Sequence, residues 1–534
     1  TVTIQHGMNS RRPKVTALTV DGRRYPVRYK VINANSLRID TQDTARIKLT
    51  VIPGPDPEDG WWYKFGQHAT RIAMSVRNFS FTYKNTYAMT LPGFRPEVGD
   101  MFGQKKHGGF LAPGMDFAFG FTGDGYIDRA LQNDWLICND SVVSPASSNA
   151  LEDLQLRISL EPIRDLKIDL TANRTRNRSR EIQYMFEGMP DTRSGNFSMS
   201  IISIGSAFER PSAGDGYHSG TFERFRRNLD VIRDRVESQF LGAQYPQGSI
   251  LAGKTFDPAN GTISKHSPDV MIPAFLAAYT GKSARNSALD FFPSLFSMMP
   301  NWRITYTGLT KIAWFKKNFR SVNLNHAYRS TYSVGSYNTC QSFMSYMGDI
   351  GFVEDVQSGN PIPSSRFDIS MVSINEQFSP LIGMDATLKN GLTAKVEYKT
   401  SRILNLSMSA CQLVETASRD FVIGLGYKIV NFNLFSGRNV KDSKNRVSHD
   451  LALRADISFR NQSALCRDIQ QGFAQATNGN KALKISCSAD YTLSRLLTLR
   501  LYYDRQQNTP LVSSSSYPVV SADFGFSMKF SLTR

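Results

Sequence analysis

The sequence predicts an all-β membrane protein: part of a very large antiparallel transmembrane β-barrel with long strands and a small helical insertion. Three observations carry this. In GLTAKVEYKTSRILNLSMSA (391–410), Leu392, Ala394, Val396 and Tyr398 take even positions, Lys395, Glu397, Lys399 and Ser401 odd ones, and the even stripe resumes at Leu404, Leu406 and Met408. About twenty residues at about 3.3 Å each would run roughly 66 Å, several times a usual strand of about five or six residues. Second, only 41% of the 534 residues are hydrophobic, mean hydropathy is -0.32, and no apolar run approaches the roughly 18 residues of a membrane helix. A period-2 strand hides its apolar half among polar residues, so a membrane barrel keeps the hydropathy of a water-soluble protein. Third, the pattern recurs as a unit: LKIDLTANR (166–174), VNLNHAYRS (322–330) and LTLRLYYDR (497–505) each alternate and then reach an Arg. Each follows a short polar or Gly/Pro turn preceded by another alternating run, which is a repeated β-hairpin.

Taken in order, residues 1–208 read as barrel hairpins with a long Gly/Pro/aromatic loop around 91–150. In HATRIAMSVRNFSFTYKNTYAMTL the apolar parity switches from Ile72, Met74 and Val76 to Phe79, Phe81 and Tyr83, which predicts a tight turn or bulge at Arg77-Asn78. Residues 209–300 break the alternation and read as a partly helical insertion between strands, on a side of the membrane the strand count leaves open. TFERFRRNLDVIRDRVESQFLG places Phe222, Phe225, Leu229, Ile232 and Val236 at helical spacing, and PDVMIPAFLAAYTG is a second candidate helix. Residues 301–534 read as C-terminal barrel hairpins. Short turns at one end and longer connections at the other (414–420, 461–480, 506–518) match outer-membrane barrels, whose short turns are periplasmic, and place the C-terminus on that side. The opening TVTIQHGM has neither an initiator Met nor a signal-peptide pattern, and is read as a processed product or a fragment.

The formal net charge of +17 and pI near 9.6 would suit nucleic acid. Lys and Arg are instead spread over nearly every alternating segment and no recognition motif is present, so anionic lipid or phosphate is the expected partner and no nucleic acid. Cys138, Cys340, Cys411, Cys466 and Cys487 are odd in number and widely spaced, neither a disulfide framework nor a metal site. Cys487 shares its parity with Leu483 and Ile485 and reads as a small hydrophobe. No His pair has metal-ligand spacing, and GFTGDGYID (120–128) lacks the residues of a phosphate loop or calcium turn. No catalytic, cofactor-binding or metal residue is predicted; the chain is not read as an enzyme.

A transmembrane strand needs about 9–11 residues tilted near 45°, so a strand of about twenty must project beyond an apolar band of about 25 Å. Val322, Leu324, Tyr328, Leu392, Val396 and Tyr398 are the candidate lipid-facing residues, and Asn323, Asn325, Lys395, Glu397 and Lys399 the candidate lumen-facing ones. Arg402 interrupts the apolar stripe, so only part of it faces lipid. Arg174, Arg176, Arg178 and Arg180 form a ladder about 6.6 Å apart on one strand face. It lies on the parity of Leu166, Ile168 and Leu170, and is either a solvated strand end or a surface for anionic headgroups or an acidic partner.

At NWRITYTGLTKI, NLNHAYRSTYSVGSY, SINEQFSPLIGMDATLKNGLTAKVEYKTSRILNLSMS and FVIGLGYK, and upstream at LPGFRPEVGD, DLQLRISLEPIRDLKIDLTANRTRN and MIPAFLAAYTGK, the sequence resembles the SprA/Sov family, the outer-membrane translocon of the type IX secretion system. The resemblance implies a bacterial outer-membrane protein that passes folded cargo to the cell surface, with gliding motility linked in some members. It implies as partners a periplasmic plug protein, a smaller cargo-receiving outer-membrane barrel and the secreted cargo. Family members are much longer, so the similarity is to a C-terminal portion. At about 25–35 residues per strand and connection the chain would supply roughly 15–20 strands. The remaining N-terminal barrel strands must then come from the same protein or another chain, because open sheet edges are not tolerated in lipid. The alternatives are a TonB-dependent-type nutrient receptor, or another barrel transporter, and a soluble adhesin; Tyr398, Tyr502 and Tyr503 at strand ends count against the last.

Overall fold

Backbone N–H and C=O groups along an extended chain need partners, and most strands of this protein find them in one antiparallel sheet. The computed structural model describes residues 1–9, 13–40, 46–53, 75–97, 99–123, 125–186, 189, 191–430, 432, 450–493, 497–512 and 517–530, in two units, Thr1–Arg77 and Asn78–Arg534.

The first unit holds six short strands: β1 (Val2–Gln5), β2 (Lys14–Thr19), β3 (Arg24–Tyr25), β4 (Arg28–Asn33), β5 (Ser36–Asp40) and β6 (Ile47–Ile52). They form two three-stranded sheets, ordered β1-β5-β4 and β3-β2-β6, with Ala17, Leu37 and Ile39 buried. This corrects the reading of residues 1–208 as barrel hairpins throughout. Strands of two to six residues are shorter than the roughly nine needed to cross a bilayer.

β7 (Val76–Thr90), whose first two residues belong to the first unit and the rest to the second, runs without a turn through Arg77-Asn78; Ile72 and Met74, whose parity suggested one, lie outside the described residues. Nor is 91–150 one long loop. It contains the hairpin β8 (Lys105–His107) and β9 (Phe110–Ala112) and helices Met115–Ala118 and Gly125–Gln132. Tyr126, Ile127, Ala130, Trp135 and Leu136 pack with Ala146, Ile182 and Tyr184.

The large sheet continues with β10 (Ala146–Ile163), β11 (Leu166–Ile182), β12 (Asp191–Ser200), β13 (Asn301–Tyr306) and β14 (Phe319–Thr339). A small sheet of β15 (Phe343–Met347), β16 (Ile350–Glu354) and β17 (Pro361–Ser365) follows. The large sheet resumes with β18 (Phe367–Ile369), β19 (Met371–Leu388), β20 (Leu392–Ser407), β21 (Gln412–Ile429), β22 (Leu451–Asp468), β23 (Ala474–Thr492), β24 (Leu497–Pro510) and β25 (Val519–Phe530). Among the described residues it has 14 strands, in the order β25-β24-β23-β22-β21-β20-β19-β14-β12-β11-β10-β7, with β13 and β18 beside that path. The expected count was higher because the strands are longer than assumed, β14 reaching 21 residues, and because the insertion takes up chain.

The connections expected at 414–420 and 461–480 are largely strand. Residues 414–420 pair without interruption on both sides, and the turn between β22 and β23 is confined to 469–473. Likewise β24 continues to Pro510. Polar residues there signal a strand that has left the apolar band, because pairing continues wherever a neighbour supplies backbone partners. At the opposite end Gly391 takes φ 89° in the tight turn from β19 to β20, a conformation that glycine adopts without strain.

β12 and β13 are two halves of one strand. Both lie between β11 and β14, β12 pairing Arg174–Ile182 and β13 pairing Leu166–Thr171. Residues 201–300 leave and return at that break, where the Met299 amide donates to the Ser200 carbonyl at 3.1 Å. Within the insertion, the Gly220–Ser238 helix is capped by Ser219, whose side chain accepts from the Phe222 amide, and buries Phe222, Phe225, Leu229, Ile232 and Val236. The Pro268–Thr280 helix is buried on nearly every side, as its apolar run dictates.

Candidate membrane face, lumen face and insertion seat

Pairing carries each parity across neighbouring strands, and the register shifts at Asn325/Tyr328 and Phe378/Ile382 leave the parity unchanged. One row runs Leu324, Met384, Val396, Ile423, Ile457 and Ile485, apolar until it reaches Arg505 on β24. The row one residue away runs Asn323, Asp385, Lys395, Gly424, Asp456, Ser486, Asp504. Successive residues point to opposite faces, so the sheet has an apolar and a polar face. The apolar face leaves large side chains open, among them Ile382, Phe421, Leu425, Leu453, Phe459, Leu501 and Phe524. Cys487 lies on it, opposite Tyr503.

All six candidate lipid-facing residues lie on the apolar face. Leu324, Leu392, Val396 and Tyr398 are partly exposed, whereas Val322 and Tyr328 are 1% exposed. Val322 pairs with Ala386, and both members are closed off. Tyr328 stacks on Trp302 at 4.5 Å and packs at a tilt against Phe378 at 4.8 Å, and it lies under the insertion, so it is not a lipid-facing residue. The five candidate lumen residues share the polar face, where Glu397 bridges Lys395 at 3.0 Å and Lys399 at 2.8 Å and Asn325 donates to Asp385 at 3.0 Å.

Above the band, the apolar parity continues but its neighbour changes. Tyr332, Val334, Val372, Ile374, Leu404, Leu406 and Leu413 form one buried cluster with Phe225, Ile232, Phe275 and other insertion residues. The insertion therefore docks on the face that carries the apolar band, not on the polar face. Its seat is fastened by buried charges. Glu376 and Arg402, 2% and 8% exposed, pair at 2.7 Å. The Arg402 guanidinium donates to the Ser206 carbonyl at 2.7 Å, while Ser203 Oγ and Tyr328 OH donate to Glu376 Oε1 at 2.7 and 2.8 Å. Arg467 donates to Glu415 and to the Tyr217 carbonyl at 2.6 Å. Sequence reasoning noticed Arg402 only as an interruption. The usable signal was a charge on the apolar parity of adjacent strands, at Glu376, Arg402, Glu415 and Arg467.

Two insertion carboxyls are shifted in opposite directions. Burial would raise Glu209, but hydrogen bonds from Ser219 and Thr221 and the nearby Arg402 charge outweigh it and hold it below the usual range. Burial pushes Asp269 up, only partly offset by hydrogen bonds from Ser365 and Ser364.

The arginine ladder is neither a bare strand end nor an open headgroup surface. Arg178 pairs with Glu152 at 2.7 Å, and Arg180 with Asp191 at 3.0 Å and Asp128 at 3.2 Å. Arg174 lies over the Phe197 ring and Arg176 over Phe292. The acidic partner is supplied by the chain itself. Both packed clusters, this insertion and the 91–150 excursion that brings Asp128, sit on the same face of the sheet.

No family model and no curated protein matches the chain. Among solved structures, the β domain of the Bordetella autotransporter BrkA shares 6% identity over 72% of this chain and 92% of its own, with a TM-score of 0.21. OmpT of Vibrio cholerae, an outer membrane protein folded in vitro, shares 9% over 85% of this chain and 98% of its own, with a TM-score of 0.19.

Proposed function

We propose that the large sheet is a section of the wall of an outer-membrane β-barrel and that this barrel is a protein-conducting translocon for folded cargo, as the resemblance to the SprA/Sov family implies. The observation that carries the barrel reading is the two-faced sheet. From Phe319 to Tyr328, about ten residues at about 3.3 Å and a tilt of about 40° give a height of about 25 Å, that of a hydrocarbon band. Across that height mostly apolar rows face one side and polar or charged rows the other.

The conduit reading rests on where the added elements sit. Among the described residues, the insertion and the 91–150 excursion both pack on the apolar-parity face beyond the band, and the polar face carries Lys395, Glu397, Lys399, Asp420 and Arg460 in ion pairs whose cations are exposed. A receptor with a lumenal plug would need packing on that polar face. Edge strands β7 and β25 have one sheet neighbour each among the described residues, and further strands from the same protein or another chain would satisfy them in lipid. A periplasmic plug protein, a smaller cargo-receiving barrel and a role in gliding belong to the same proposal, and catalysis does not.

Ser458→Arg combined with Ser486→Arg places two guanidinium groups on the polar face. Membrane-inserted protein should stay at the parent level while cargo release into the medium falls severalfold. Parent-level release with normal insertion would count against the conduit.

A further inference from the structure

Insertion residues 201–300 leave the sheet at a defined height. Trp302 pairs with Leu170 and Tyr328, Tyr328 pairs with Phe378, and Phe378 pairs with Thr400, one pair above the Ile382–Tyr398 pair. That row is the upper margin of the apolar band, and the insertion begins just above it. Its lowest elements are not polar. Phe208 packs on Phe378 at 5.4 Å yet is 56% exposed, and in the segment after Pro293 Leu295, Phe296 and Met299 are 45%, 96% and 41% exposed. Met299 is held beside Ser200, at the break in the strand. Beside it a cavity of about 290 Å³ is lined by Met199, Ile201, Leu276 and Met299, with the exposed Lys282 at its wall.

Clustered exposed aromatic and aliphatic side chains are costly in water and common where a surface meets the headgroup boundary, with basic groups placed toward lipid phosphate. We infer that the underside of the insertion, Phe208 with Leu295–Met299, rests in the headgroup–acyl boundary of the leaflet above the band, with a phosphate-bearing lipid surface as its partner. The inference rests on the proposed barrel reading. Its ground is continuity: Trp302, Tyr328, Phe378 and Phe208 form one line of rings from the sheet into the insertion, and the exposed segment begins where the lipid band ends. The insertion would then brace the barrel wall against the membrane surface, fixing how deep the strands sit.

The test uses the full chain in vesicles of phosphatidylethanolamine and phosphatidylglycerol with brominated acyl chains. Three single variants are read as difference emission against the parent: Ile457→Trp in the band, Phe296→Trp in the underside, and Val356→Trp, which replaces a residue 99% exposed in the turn between β16 and β17. Quenching of Ile457→Trp, quenching of Phe296→Trp by about twofold or more, and no quenching of Val356→Trp are expected for a side chain at the boundary. If Ile457→Trp is quenched while Phe296→Trp behaves like Val356→Trp, the insertion stands clear of the bilayer and the inference is overturned with the barrel reading intact. A blue-shifted but unquenched Phe296→Trp overturns it in favour of a protein cover. If Ile457→Trp itself is unquenched, the barrel reading falls and this inference with it.

Discussion

The two halves of β14 share one parity and one face, yet they do different work. From Phe319 to Leu324 that face belongs to an apolar band which, although Val322 itself is covered, leaves Ile382 on the adjoining β19 and Leu425 further along on β21 67% and 48% exposed. From Ser330 to Val334 it is sealed beneath the insertion, with Tyr332 at 0% and Val334 at 1%, and the flanking strands bring Glu376 and Arg402 into the seal. Alternation decides which side a residue points to; what waits on that side is decided elsewhere in the chain.

The largest effect should come from the sealed half. Glu376→Gln strands Arg402 without its countercharge, and removing one member of a buried pair costs about 3–5 kcal/mol. The insertion should become protease-sensitive between 201 and 300 while the band remains assembled, read by limited digestion alongside heat-modifiable gel mobility. If the sheet and the insertion fail together, the two halves are one cooperative unit and the contrast drawn between them is wrong.

The band responds to another kind of damage. Val396→Arg puts a guanidinium on the apolar face at about 2–4 kcal/mol near the middle of a bilayer, whereas Glu397→Arg, one residue away, stays on the polar face. Folded, membrane-inserted protein should drop for the first and hold for the second. Equal loss would mean the faces are assigned the wrong way.

A smaller effect separates the insertion from the band by pH. Asp269 titrates higher in the folded protein than its ordinary value, so its unfavourable contribution is absent below that ordinary value, grows as pH rises toward the folded value, and is constant above it. Asp269→Asn should remove this part of the pH dependence, so that between pH 4 and 7 the melting of the insertion declines less in the variant than in the parent. Glu209 titrates lower and pulls the opposite way, its stabilisation being lost as pH falls through its folded value, which is why the readout is the difference between variant and parent. An unchanged difference across the range would remove Asp269 as a source.

The smallest effect is expected at Arg178→Gln. Its side chain is 37% exposed and that of its partner Glu152 25%, a pair of the kind that contributes about 1 kcal/mol or less. A loss comparable to Glu376→Gln would show that the ladder, and not the Glu376–Arg402 pair, fastens the upper half.

Much of this architecture was legible in the residues. Period-2 alternation located β11, β14, β20 and β24, the parity placed Lys395, Glu397 and Lys399 opposite Val396 and Tyr398, and helical spacing found the five buried hydrophobic positions of the Gly220–Ser238 helix, missing only the buried Thr221. Those signals are local: a strand or helix buries one face with a short period that any window of sequence contains. Three things were decided only by tertiary structure. Residues 201–300 interrupt a strand and do not join two, because Ser200 and Asn301, a hundred residues apart, complete the same ladder between β11 and β14. The insertion docks on the apolar-parity face because Ser203 meets Glu376 and Ser206 meets Arg402 across separations of 173 and 196 residues. Arg174, Arg178 and Arg180 of the ladder find their carboxylates in Glu152, Asp128 and Asp191, which lie on other elements. No period links such positions. A charge on the apolar parity marks only that an escort is needed, since an unpaired ion cannot stay buried, and the fold alone determines which residue supplies it.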